Sequence, residues 1–192
     1  AFKLISSAKK AGADAVKFQL FNARRMYEND KKMFALFKSI ELNKNWIPKL
    51  KKFSESLGVD FLASPFDIDS AKILKKNKLT SYKIASSELT NIEMIDYLSS
   101  IKKPLFVSTG MSDLVDVKNA IKIFKKNKNN KIVLMQCGSM YPLPEKYANL
   151  GVLKSFKKLK FQLGFSDHTK GNFSAIVAVG LGATVFEKHF TL

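Results

Sequence analysis

Arginine, histidine and cysteine are nearly missing from this chain of 192 residues. Of its 33 basic residues only Arg24 and Arg25 are arginines, which bears directly on the net charge of +17. A charge of that size suits nucleic acid or another polyanion. The planar guanidinium fork that reads phosphates and base edges is nevertheless all but absent. The lysines fall in helix-like stretches such as KILKKNK, IKIFKKNKNNK and LKSFKKLK. We therefore read a solvated Lys/Asn-rich surface and expect no nucleic-acid partner. The single cysteine, Cys137, excludes an internal disulfide framework and agrees with a reducing, cytoplasmic location. No apolar run approaches the roughly 20 residues of a membrane helix, so no membrane partner is expected. The start, AFKLISSAKKAG, reads as an amphipathic helix without the apolar core and cleavage site of a signal peptide. Without an initiator Met, the chain reads as a fragment.

What is present is a recurring unit. A hydrophobic content of 46% over this length is enough for one domain with a substantial core. Short apolar or β-branched runs read as strands at 15–20, 59–64, 81–86, 104–109, 131–136, 161–166 and 184–189. Between them, stretches such as IEMIDYLSSI and LVDVKNAIKIF carry apolar residues at helical spacing. After the second run the starts lie about 22 to 30 residues apart, the length of one β/α unit. Alternation of this kind implies parallel pairing with right-handed crossovers. The class is α/β, and seven strands with a leading helix suggest an eight-stranded (β/α)8 TIM barrel lacking its first strand and last helix. A truncated barrel should leave the strands at 15–20 and 184–189 exposed or bridged by another chain, and should not run a reaction alone. The doubly wound sheet is the rival fold, although no G-x-G-x-x-G follows the early strands. The long segment between Gln19 and Val59 is either a functional lid or a decorated surface helix.

In a β/α barrel the active site lies at the C-terminal ends of the strands. Those ends carry Lys17 and Gln19; Ser64; Lys83, Ser86 and Glu88; Ser108 and Thr109; Gln136, Ser139 and Tyr141; Ser166, Asp167 and His168; and Glu187, Lys188 and His189. Lys17 and Lys83 sit inside strand patterns that should be apolar. An unpartnered buried ammonium is costly, so they point either toward an anion or into an ion pair with Glu88 or Glu187. Several Ser hydroxyls and two lysines suggest a phosphate site. The two histidines end consecutive strands and could share a divalent ion, its shell completed by water, substrate or a carboxylate. The alternative for each histidine is a purely structural role.

The segments AGADAVKFQ, FLASPFD, YKIASSELTN, STGM, YPLP, GFSDHTKG and GATVFEKHFTL together resemble the sialic acid (N-acetylneuraminate) synthase family, with its pseudaminic and legionaminic acid relatives. The resemblance runs in order through nearly the whole chain. It implies a β/α barrel that condenses phosphoenolpyruvate with an N-acetylated amino sugar, N-acetylmannosamine or a relative, giving a nine-carbon acid and phosphate. It also implies a divalent cofactor, Mn²⁺ or else Mg²⁺ or Co²⁺, and a homodimer in the full-length protein. The family's C-terminal antifreeze-like domain is not in this sequence, so residues 1–192 are read as a partial barrel domain.

On the same resemblance, Lys17, Ser64, Lys83, Ser86, Ser108 and Ser166 surround phosphoenolpyruvate, and His168 and His189 hold the metal. Glu88 sits by the reacting atoms, in proton movement or in positioning, while Gln19 and Tyr141 face the sugar. Asp167 and Glu187 balance charge. One departure is Ser139, which stands in CGSMYP where many members have an Asn near the phosphate. Two rivals stay open: another phosphoenolpyruvate-condensing synthase building seven- or eight-carbon sugar acids, or a non-enzymatic sugar-phosphate or polyanion binder.

Overall fold

The computed structural model describes residues 1–192. The chain folds as two units, Ala1–Tyr82 with Thr191–Leu192, and Lys83–Phe190. In the first, helix α1 (Phe2–Lys10) turns Ile5 and Ala8 inward at helical spacing. Strand β1 (Ala15–Leu20) follows, and then the long segment left open as lid or surface helix. It forms three helices, α2 (Ala23–Tyr27), α3 (Lys31–Ile40) and α4 (Ile47–Ser56). Asn22 and Asp30 accept the first free amides of α2 and α3, and a proline stands in the first turn of α4. Glu41 accepts from the Ala23 amide at 3.0 Å, and Phe37 packs edge-on against Phe21 at 5.6 Å and tilted against Tyr27 at 4.5 Å. No residue of α3 is buried.

Strand β2 (Asp60–Pro65) pairs parallel with β1, in a register running from Ala15↔Asp60 to Leu20↔Pro65. Helix α5 (Ile68–Lys76) starts at Asp67, whose side chain accepts from the Ser70 amide. Arg25 reaches back to Asp67 at 3.6 Å and Asp69 at 2.5 Å, a fork between two carboxylates that suits guanidinium better than ammonium.

The second unit holds a five-stranded sheet in the order β3–β4–β5–β6–β7, its first strand, β3 (Tyr82–Ile84), beginning at the boundary. Helix α6 (Ile92–Ser100), β4 (Leu105–Ser108), α7 (Leu114–Lys126), β5 (Ile132–Cys137), α8 (Val152–Lys157), β6 (Gln162–Asp167), α9 (Phe173–Gly180) and β7 (Val185–Lys188) follow in strict alternation. The ladders β4/β5, β5/β6 and β6/β7 are all parallel. Every residue of β5 is buried, as the apolar run IVLM leads one to expect of a central parallel strand. Helix α7 buries Val117, Ala120, Ile121 and Phe124 on one stripe and opens with a capping box between Asp113 and Asp116. Strand β7, last in the sheet order, alternates half-buried and exposed residues. No helix is long and apolar enough to cross a membrane.

All seven expected strands are present, most with ends moved by one residue. The largest difference is β3, which stops at Ile84 because Ser86–Glu88 turn into a 3-10 helix. The strands assigned to one ring are found as a two-stranded and a five-stranded sheet.

Gly110, in the turn after β4, is fixed by close approach. A Cβ there would lie 2.6 Å from both the carbonyl oxygen and Sγ of Cys137. Gly110→Ala is expected to destabilise the second unit by about 1–3 kcal/mol through overpacking. Gly151→Ala, where a Cβ meets nothing within 4 Å, serves as the control. Equal urea midpoints for the two variants would refute the packing argument.

Candidate functional site

The sequence-derived candidates divide between the two units. In the first, Lys17 is half-buried and Gln19 exposed on β1, and Gln19 is register partner to Ser64 near the end of β2. Ser64 is fully buried, and its hydroxyl has no hydrogen-bond partner. A buried hydroxyl left so costs about 1–3 kcal/mol, which a bound polar group would recover.

The second unit gathers the rest. Lys83 is buried on β3. Its ammonium donates to Ser108 Oγ at 2.6 Å and to the Ile84 carbonyl at 3.2 Å, and lies 3.4 Å from Glu187 Oε2. The same carboxylate oxygen accepts from Ser166 Oγ at 3.1 Å. Glu187 is thus an ion-pair partner of Lys83, one of the two carboxylates that the sequence offered for it. Four strands, β3, β4, β6 and β7, thus bring two hydroxyls, an ammonium and a carboxylate together. Ser86 and Glu88 lie on the short 3-10 turn beyond β3. The Glu88 carboxylate accepts from Ser87 Oγ at 3.2 Å and Asn91 Nδ2 at 3.1 Å. Asn91, which carries no strand-end signal in the sequence, both orients Glu88 and caps α6 through the Met94 amide.

His168 and His189 each stand one residue past the end of β6 and β7. Their ring centroids are 5.2 Å apart, at 63°. The ring of Tyr141 lies 4.2 Å from His168 and 5.3 Å from His189. His168 Nδ1 is 2.5 Å from the Gly138 carbonyl oxygen. A carbonyl can only accept, so Nδ1 carries the proton and Nε2 keeps its lone pair. Burial, helped by the neighbouring His189, holds the His168 pKa below the ordinary imidazole value. Burial likewise raises the Tyr141 phenol above its usual range.

The two rings thus stand side by side, with His168 held as the Nδ1–H tautomer and its Nε2 lone pair left for another partner. No group of three or more His, Cys, Asp or Glu side chains is placed to hold a metal, so an ion shared by the two rings would have to take its other partners from water or substrate. An ion held by two protein ligands alone would have the open shell of a catalytic rather than a structural site. A cleft of about 280 Å³ lies here, lined by Tyr141, Pro142, Asp167, His168, Thr169, Lys188 and His189.

Ser139 is exposed in the loop before Tyr141. Thr109 and Gln136, both strand-end residues, are buried and bonded to backbone, Thr109 to Met135 at 3.1 Å and Gln136 to Ala148 at 3.0 Å. They serve as loop anchors. Asp167 and Lys188 immediately precede the two histidines, and nothing in the sequence alone marks a role for Lys188.

The profile of the NeuB family matches residues 4–192. An uncharacterised protein of Methanocaldococcus jannaschii is 38% identical over 99% of this chain and 57% of its own length. The N,N'-diacetyllegionaminic acid synthase of Campylobacter jejuni is 34% identical over 99% of this chain and 62% of its own length. Among solved structures, the N-acetylneuraminic acid synthetase of Leptospira borgpetersenii superposes with a TM-score of 0.94 at 33% identity, covering 99% of this chain and 67% of that one. The chain thus spans a little over half the length of the curated relatives it matches.

Proposed function

The chain belongs to the NeuB family, and from that premise we propose that it condenses phosphoenolpyruvate with an N-acetylated amino sugar, forming a nine-carbon acid of the sialic type and releasing phosphate. The observation that carries the reading is the meeting of His168 and His189 over a cleft, on the strands that supply Ser166 and Glu187. The fold that goes with it is a β/α barrel with the site at the strand ends.

His168 and His189 would hold a divalent ion such as Mn²⁺, whose chemistry there is Lewis-acid polarisation of the sugar aldehyde. C3 of phosphoenolpyruvate forms the new bond to that aldehyde carbon. Water then adds at C2, and phosphate leaves. Lys83 supplies positive charge to a substrate that is anionic throughout, with Ser86, Ser108 and Ser166 as hydroxyl partners. Ser139 and Tyr141 belong to the substrate-binding loop. Glu88, held by Ser87 and Asn91, assists proton movement. Lys17, Gln19 and Ser64 take part in substrate binding, a role supported in Ser64 by its unsatisfied hydroxyl.

The test is phosphate release by the full-length protein, given phosphoenolpyruvate, Mn²⁺ and a panel of acceptors. Turnover with N-acetylated or N,N'-diacetylated amino sugars is the expected result. Turnover only with tetrose or pentose phosphates would assign it to the shorter sugar acids instead. No turnover, together with polyanion binding that collapses with salt, would leave a binding protein.

A further inference from the structure

Strand pairing between β6 and β7 ends one residue before the histidines, so the ladder itself does not hold them. The last register pairs are Ser166↔Glu187 and Asp167↔Lys188. Side chains alternate between the faces of a sheet. Ser166 and Glu187 therefore share the face that carries Lys83, and Asp167 and Lys188 take the other. On that other face a compact cluster has formed. Lys188 Nζ donates to Asp167 Oδ2 at 2.5 Å, to the Thr169 carbonyl at 3.0 Å and to the Gly171 carbonyl at 2.7 Å. An ammonium has three donors, and here each finds an acceptor. The other oxygen of Asp167 accepts from the Thr169 amide at 2.8 Å and hydroxyl at 2.7 Å. Asp167 and Thr169 are both buried.

These bonds tie the turn 167–171, which contains His168, to the residue that immediately precedes His189. We infer that Asp167 and Lys188 are positioning residues, a latch across two strand ends that sets the separation of the two imidazoles and thereby the affinity for a divalent ion. The inference rests on the metal role proposed above for His168 and His189. A surface ion pair would not carry it, since exposed pairs contribute little. Here one partner is buried, and two of the acceptors are carbonyls of the histidine turn itself. His168 is also held from the opposite side, its carbonyl accepting from the Leu143 amide at 2.8 Å. The latch supplies the link to β7 that those contacts lack. Lysine suits the position, because three converging acceptors match a rotating ammonium better than a planar guanidinium.

The test is Mn²⁺ titration of the full-length protein, following free ion by electron paramagnetic resonance. Wild type is compared with Lys188→Met, Asp167→Asn, His168→Ala and the control Lys126→Met, which removes an ion pair to Asp96 on α6. Groups that orient metal ligands typically change affinity by about 10–100-fold, and a loss in that range is expected for both latch variants. Their thermal melts should stay cooperative, and Lys126→Met should bind as wild type does. Asp167→Asn keeps an oxygen for the Thr169 amide, so it decides the matter if Lys188→Met fails to fold. Wild-type Mn²⁺ affinity in a folded latch variant overturns the inference, as does an equal loss in Lys126→Met. Failure of the underlying metal reading looks different: His168→Ala would bind as wild type does, or wild type would bind no Mn²⁺.

Discussion

Replacing His168 or His189 by alanine should remove metal-dependent phosphate release, a loss of at least about a thousandfold. Polarisation of a reacting oxygen by a bound ion contributes several kcal/mol, and each 1.36 kcal/mol is a factor of ten in rate. On the proposed metal role two protein ligands would leave no reserve, because no third His, Cys, Asp or Glu is placed to complete a group of three. The fold should survive. His189 is exposed, and His168 is only half-buried, its one ring bond going to a backbone carbonyl that water can satisfy. Circular dichroism should therefore match wild type while Mn²⁺ binding is lost. Turnover within tenfold of wild type in either variant would remove that histidine from the mechanism and with it the shared ion.

Lys83→Met should have two separable consequences. Methionine keeps most of the volume and deletes the charge, leaving the Glu187 carboxylate with the Ser166 hydroxyl but without its ammonium. Removing one partner of a buried pair costs about 3–5 kcal/mol. The lower end is expected, since the Glu187 side chain retains 21% exposure. Phosphoenolpyruvate affinity should also fall, by about a hundredfold, in line with a lost charge-assisted bond. Adding Glu187→Gln to Lys83→Met should return much of the stability, because the carboxylate that lost the Lys83 ammonium is then uncharged, but none of the affinity. Denaturant midpoints and calorimetry read the two effects independently. An unchanged dissociation constant in Lys83→Met would make this lysine purely structural.

The alternation of strand and helix was legible because parallel strands buried on both faces read as short apolar runs, IVLMQC being the plainest. The end of β3 was not, since nothing in SYKIAS marks where the backbone leaves the ladder for the turn at Ser86. Helix ends were similarly obscured. Lys78, Lys102, Lys128 and Lys160 adopt positive φ where glycine would have been the visible signal. The histidine pair could be read because both residues end consecutive strands, and in-register strand ends are neighbours. The partner of Lys83 could not be chosen, because Glu88 and Glu187 are both near strand ends and only the path of the sheet decides between them. The latch was readable in principle. SDH and EKH align residue for residue once the β6/β7 register is known, but that register is a tertiary fact.

The central claim is that a carbon–carbon bond forms at C3 of phosphoenolpyruvate. The most direct measurement is carbon NMR of [3-¹³C]phosphoenolpyruvate incubated with the full-length protein, Mn²⁺ and the acceptor that best supports phosphate release. The label should move to the ring methylene of a nine-carbon acid, in step with phosphate and only when the amino sugar is present. Label appearing instead in the methyl group of pyruvate, with or without the sugar, would mean simple hydrolysis and would contradict the account.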